Sequence, residues 1–135
     1  MIIDAQRFGL FHYSSYEEVN DFRIGRYLPP TARQIELQKY ASGHRAMYSI
    51  SKQELTTYLD GLWKTHGDRS ASSRDELDDG ELVSIESYRY EFDGLGWQLP
   101  ERAVKFYSPI QSDGGGADYY FDPEAEMTYH RAGYW

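Results

Sequence analysis

The sequence predicts an α+β domain, an antiparallel sheet of about five strands packed on one amphipathic helix at about residues 52–65, in the order β-β-α-β-β-β. Three observations predict it. A helix start is signalled twice around Ser51, runs of alternating apolar and polar residues flank that helix, and a turn-forming DPEA separates the last two of those runs. At 135 residues the chain reads as one domain, 1–135, long enough to bury a core without disulfides or a structural metal.

At the N-terminal end, Ser15 and Glu18 have the spacing of a capping box, with Val19 and Phe22 as an apolar patch, so this segment is expected to add a short helix at about 15–22 or an edge strand. The paired prolines of RYLPPTA bias Leu28 and Pro29 toward extended backbone and stop any helix there. Ile35 and Leu37 then alternate with Glu36 and Gln38. Ala46, Tyr48 and Ile50 alternate with Arg45, Met47 and Ser49, and Ser42-Gly43 makes the turn of a hairpin.

The helix follows at once. Ser51 and Glu54 have the spacing of a capping box, and Ile50 with Leu55 that of a hydrophobic staple. Leu55, Tyr58, Leu59, Leu62 and Trp63 form one apolar stripe, and Gly67 supplies a left-handed stop. The next stretch, GDRSASSRDELDDGE, carries six acids and two bases, with no aromatic residue, and reads as a mobile acidic loop at 68–81. Its D-E-L-D-D-G-E order lacks the ligand spacing of a calcium loop. LVSIESYRYEF, RAVKFYS and the two arms of the closing hairpin, YYFDPEAEMTYH, supply the remaining strands. Pro123 pre-sets φ in the turn of that hairpin, and Asp122 can accept from the backbone ahead of it.

Charge and composition exclude several functions. Residues 1–67 hold eight Lys/Arg and seven Asp/Glu, and residues 68–135 hold six and fifteen, so the net charge of −8 sits almost wholly in the second half. An acidic half repels phosphates, which argues against nucleic acid as a partner; such acidity suits an ordinary soluble surface, with steering toward a basic protein as the sharper alternative. With no cysteine there is no disulfide, thiolate metal site or thiol nucleophile. MIIDAQRF lacks the basic and apolar regions of a signal peptide, and no stretch approaches the roughly 18 apolar residues of a spanning helix. A cytoplasmic location is expected, or the envelope if a leader has been removed.

LPPTARQI at 28–35, HRAMYSIS at 44–51, YLDGLW at 58–63, YYFDP and YHRAGYW together resemble a family of small, uncharacterised bacterial domains. The resemblance implies an α+β domain of unknown function, found in some cases near or within envelope-associated proteins, and transfers no catalytic residue.

No residue pattern marks a catalytic, cofactor or metal site. His130 and Arg131 are neighbours in a strand and point to opposite faces, so acid–base work by His130 would need a distant carboxylate. His12, His44 and His66 lack metal-ligand spacing. Ser14, Ser15 and Ser51 lie outside any nucleophile-elbow motif, and GGGA at 114–117 leads into a strand and not into a phosphate-binding helix. Arg23, Arg26 and Arg33 form the one basic cluster, suited to an acidic group or a partner's C-terminus, or else to pairing with the protein's own carboxylates.

Aromatic residues make up 16% of the chain, more than one helix on one sheet face can cover. Tyr119, Tyr120, Tyr129, His130, Arg131, Tyr134 and Trp135 are therefore the candidate binding residues, some of the aromatics being expected on an uncovered sheet face suited to a protein partner or to self-association, unless the N-terminal segment covers that face. The expected function is a non-catalytic protein-binding module, an immunity-type inhibitor being one version. The alternatives are a small-ligand binder or hydrolase-like enzyme with a pocket near His130, and an uncharacterised envelope-associated domain.

Overall fold

The alternating runs do become strands, but there are more of them than the sequence suggests. The computed structural model describes residues 9–111 and 114–134. They form one antiparallel sheet of seven strands: β1 (Gly9–Ser15), β2 (Arg33–Tyr40), β3 (Gly43–Ser49), β4 (Glu81–Ser84), β5 (Arg102–Tyr107), β6 (Gly116–Asp122) and β7 (Met127–Gly133). Their spatial order is β1-β2-β3-β7-β6-β5-β4. Two single-turn helices, α1 (Tyr16–Val19) and α2 (Phe22–Gly25), follow β1, and α3 (Lys52–His66) follows β3.

Seven strands in place of about five correct the expected β-β-α-β-β-β order, and the reasons lie at the two sheet edges. β1 is an edge strand whose residues are at most half-buried, so its sequence carries no strong apolar alternation. β4 is Glu81 and the first three residues of the run LVSIESYRYEF. Beyond it the chain coils into one-turn 3-10 segments at Ile85–Ser87 and Arg89–Phe92, because Tyr88 and Phe92 turn inward to pack on the sheet.

Elsewhere the local signals hold. The Ser51 hydroxyl accepts from Glu54 N–H at 3.1 Å while the Glu54 carboxylate accepts from Ser51 N–H at 3.0 Å, which caps α3 on both sides. Leu55 and Leu59 are fully buried, and Tyr58 and Leu62 pack partly against the same core. Gly67 departs from the expected left-handed stop. Its φ is −63°, and the chain runs on into a 3-10 turn at Gly67–Arg69. At Ser15 the capping box does not form, because Glu18 accepts from the Ser14 N–H. In the closing hairpin Asp122 accepts from Glu124 N–H at 3.0 Å, as its turn chemistry requires. Gly43 opens β3 because a side chain there would strike the Ala132 carbonyl at 2.2 Å, so only glycine lets β7 lie this close.

The sheet has a core on each face. On one, α3 and residues 19–32 cover Ile35, Leu37, Ala46, Tyr48, Tyr119 and Phe121. On the other, residues 85–100 form a strap over Ala103, Tyr120 and Tyr129, placing Tyr88, Phe92, Leu95 and Trp97 against them. Tyr88 and Tyr120 stack at 4.6 Å, and Phe92 meets Tyr120 edge-on at 6.0 Å. Glu91 pins the strap. Tyr120 donates to its carboxylate, Arg45 donates to its main-chain oxygen, and Arg131 stands 3.7 Å away. Near the end of the strap, Tyr129 donates to the Gln98 carbonyl at 3.1 Å.

The acidic stretch is tied down as well. Asp79 accepts from the Tyr107 N–H at 2.9 Å and pairs with Arg74, which also reaches Asp60 at 2.9 Å. Asp78 accepts from the Tyr107 hydroxyl. No helix among the described residues is long and apolar enough to cross a membrane.

Candidate functional site

Period-two alternation decides where the closing hairpin sends its side chains. Tyr119, His130 and Tyr134 go into the α3-side core, and Tyr120 and Tyr129 into the strap-side core. All five are buried, Tyr134 being the most exposed at 7%, so the aromatic load fills two cores and leaves no open aromatic face among these residues. Arg131 points to the strap side, away from His130, and is half-exposed beside Glu91. Trp135 lies outside the described residues.

His130 is fully buried and belongs to a closed polar chain. The Tyr134 hydroxyl lies 3.2 Å from His44 Nδ1, the two histidines meet Nε2 to Nε2 at 2.8 Å, and His130 Nδ1 lies 2.7 Å from the Tyr48 hydroxyl. Two neutral imidazoles satisfy this line. The ring that donates at the central contact accepts from its own tyrosine, and the other ring, protonated at Nδ1, donates to its tyrosine. Burial lowers both pKa values, His44 to about 3 against the pull of Asp21, and His130 well below 6.5 with a charge on His44 opposing it further. The chain needs no carboxylate and contains none. It gives polarity to the centre of the core without charge.

A second polar group lies at the margin of the strap. Asp118, opposite Arg131 across the β6–β7 ladder, has its pKa raised to about 6 by burial and by the neighbouring Glu91 carboxylate, against the opposing pull of Lys105 and Arg131. These charges largely answer one another, and their evident work is to seat the strap.

The surface feature with unanswered charge is elsewhere. A cleft of about 670 Å³ opens where the C-terminal half of α3 faces residues 25–27 on one side and 108–111 on the other. Tyr27, Tyr58, Leu62, Pro109 and Ile110 make its apolar walls, and Arg26, His66 and Arg69 stand around it. The walls are fastened by hydrogen bonds: Tyr58 donates to the Arg26 carbonyl at 2.8 Å, Ala71 N–H to the Ile110 carbonyl at 2.7 Å, and Ile110 N–H to the Ser70 hydroxyl at 2.9 Å. No carboxylate lines it among the described residues. Of the three arginines singled out in the sequence, Arg33 pairs with Glu54 at 3.6 Å and Arg23 bonds to the Ala41 carbonyl and lies over the Tyr134 ring. Arg26 has only a ring contact with Tyr27, and neither it nor Arg69 has an ion pair among the described residues.

The arginine cluster is the one signal in the sequence that pointed here. Arg69, Leu62 and Ile110 could not have been joined to Arg26 from sequence, because they meet only after the 3-10 turn at Gly67–Arg69 docks on the β5–β6 connection. No family model matches the chain, and no curated protein or solved structure is significantly similar to it, so the resemblance carried by LPPTARQI and the closing hairpin gains no support from them.

Proposed function

We propose that this domain is a non-catalytic binding module whose site is the cleft between α3 and residues 108–111, and that it holds an apolar group bearing a carboxylate. One observation supports the reading above the rest: two arginines with no acidic partner among the described residues stand over a partly apolar hollow, in a protein whose net charge is −8. An apolar cleft within the usual range of about 300–1,000 Å³, with a few convergent polar groups, suits a ligand whose body is desolvated and whose charge is clamped. Arginine's planar fork suits the bidentate grip that a carboxylate offers. Catalysis by His130, by contrast, would require a substrate to reach a side chain with no exposed surface.

The test is a nitrogen–proton correlation NMR titration with 4-phenylbutyrate and with its uncharged amide. The acid is expected to shift the backbone signals of Tyr27, Tyr58, Leu62 and Ile110 at millimolar concentration. The amide should shift them far less, as should the acid on Arg69→Glu protein. Shifts scattered over the surface, or equal for acid and amide, would end the reading.

A further inference from the structure

The cleft does not stand alone. Its wall at Gly25 and Arg26 is also the wall of a second hollow of about 440 Å³, lined by Tyr16, Glu17, Val19, Asp21 and Phe22. The two hollows thus form one track over the Gly25–Arg26 saddle. Gly25 keeps that saddle low, since a side chain there would meet the Tyr16 hydroxyl at 2.9 Å.

The two ends of the track differ in charge. The cleft end carries Arg69 and His66, and Arg26 lines both hollows at the saddle. The far end carries Glu17 and Asp21, with Phe22 82% exposed at its rim. Asp21 uses one oxygen to cap α2, accepting from Arg23 and Ile24 N–H at 3.0 and 3.2 Å, so its charge is held in place at the track. Phe22 is the most exposed large apolar residue described, and it sits beside a carboxylate and not in a core.

We infer that the track takes the C-terminal end of a partner protein, with the free carboxylate and last apolar side chain in the cleft and a basic residue a few positions upstream at Glu17 and Asp21. The inference rests on the reading of the cleft as a binding site and adds the identity of its occupant. Charge complementarity at both ends sets the direction of the chain. A terminal carboxylate meets the arginines, a lysine or arginine meets the acids, and the intervening backbone crosses the saddle. An extended segment covers about 3.3–3.6 Å per residue, so a few residues suffice. A small carboxylic acid would use the cleft and leave the acidic hollow and Phe22 without a role. The acidity of the whole chain then draws in the basic part of the tail.

The experiment uses fluorescein-labelled pentapeptides that end in phenylalanine and carry one lysine two, three or four positions before it, read by fluorescence anisotropy on the full chain. At the best lysine position, the free acid is expected to bind about tenfold more tightly than the same peptide with an amidated C-terminus, the scale of a lost charge-assisted hydrogen bond. That preference should disappear on Arg69→Glu protein. Exchanging the lysine for glutamate should weaken binding to the wild type and restore it on Glu17→Lys protein, a rescue that general damage to the fold would not give. Arg69 and Glu17 are both exposed surface residues, so neither exchange empties a core. If acid and amide peptides bind alike while 4-phenylbutyrate still shifts the cleft signals, the C-terminal inference falls and the binding site stands. If the lysine position and its exchange have no effect, the direction assigned to the chain falls. If 4-phenylbutyrate shifts nothing and no peptide binds, both fall together.

Discussion

At the scale of single residues, His130 shows how a sequence can point to the right side chain with the wrong surroundings. Its strand position is legible, and so is its separation from Arg131. Its partner is not, because His44 lies 86 residues away and the two meet only through the β3–β7 pairing that sets Ala46 opposite His130. The pair has a consequence for stability. Both rings stay neutral in the folded protein at pH values where the unfolded chain takes up protons, so their contribution is whole above pH 6.5 and is lost as pH falls below it. Asp118 works the other way: its raised pKa favours the folded state most below 3.8, and that contribution fades as pH rises toward 6. Replacing His130 by glutamine should therefore remove one histidine's share of the acid sensitivity, about 2 kcal/mol between pH 7 and pH 5. Urea unfolding of both proteins at the two pH values measures it. Equal losses in wild type and variant would show that the buried pair does not titrate on unfolding.

At the scale of elements, the start and the buried face of α3 were legible because their signals are local, a cap, a staple and a stripe, whereas its stop at Gly67 was not. Nor was the strap. Residues 85–92 read as part of a strand and residues 93–100 carry no signal, because the inward turn of Tyr88, Phe92 and Trp97 is decided by Tyr120 and Tyr129 far along the chain. An aromatic surplus that seemed to call for a partner is absorbed by the protein's own strap. Phe92→Ala should accordingly cost about 3–5 kcal/mol, the usual range for a large aromatic removed from a core. Guanidinium unfolding reads this directly, and a loss under about 1 kcal/mol would mean that the strap is only loosely laid on the sheet. The acidic stretch teaches a similar lesson. Its composition suggests a free loop, yet Asp79 is committed to the Tyr107 backbone and to Arg74, contacts that no local rule foretells.

At the scale of the whole molecule, the fold class was legible and the strand count was not, since edge strands such as β1 and β4 have too few buried positions to leave a periodic trace. The candidate site was legible only as an arginine cluster; its apolar half comes from three separate segments of the chain. The sheet itself makes a further prediction. β7 is hydrogen-bonded to β3 on one side and β6 on the other, and it is the one strand joining β1–β2–β3 to β6–β5–β4. A chain ending after Asp122 should therefore show no cooperative unfolding transition by circular dichroism, and a sharp transition would show that one half-sheet folds by itself.

The position of β7 also matters for how the protein is made. The strand at the middle of the sheet is translated after all six others, so while the ribosome is still at work the emerged part of the chain carries β3 with a bare edge and Tyr48 unsealed. Such edges invite pairing with neighbouring chains. Synthesis thus leaves a period of exposure that closes only when β7 emerges, and a chaperone engaged with the nascent chain over that interval would protect the protein at its most aggregation-prone stage.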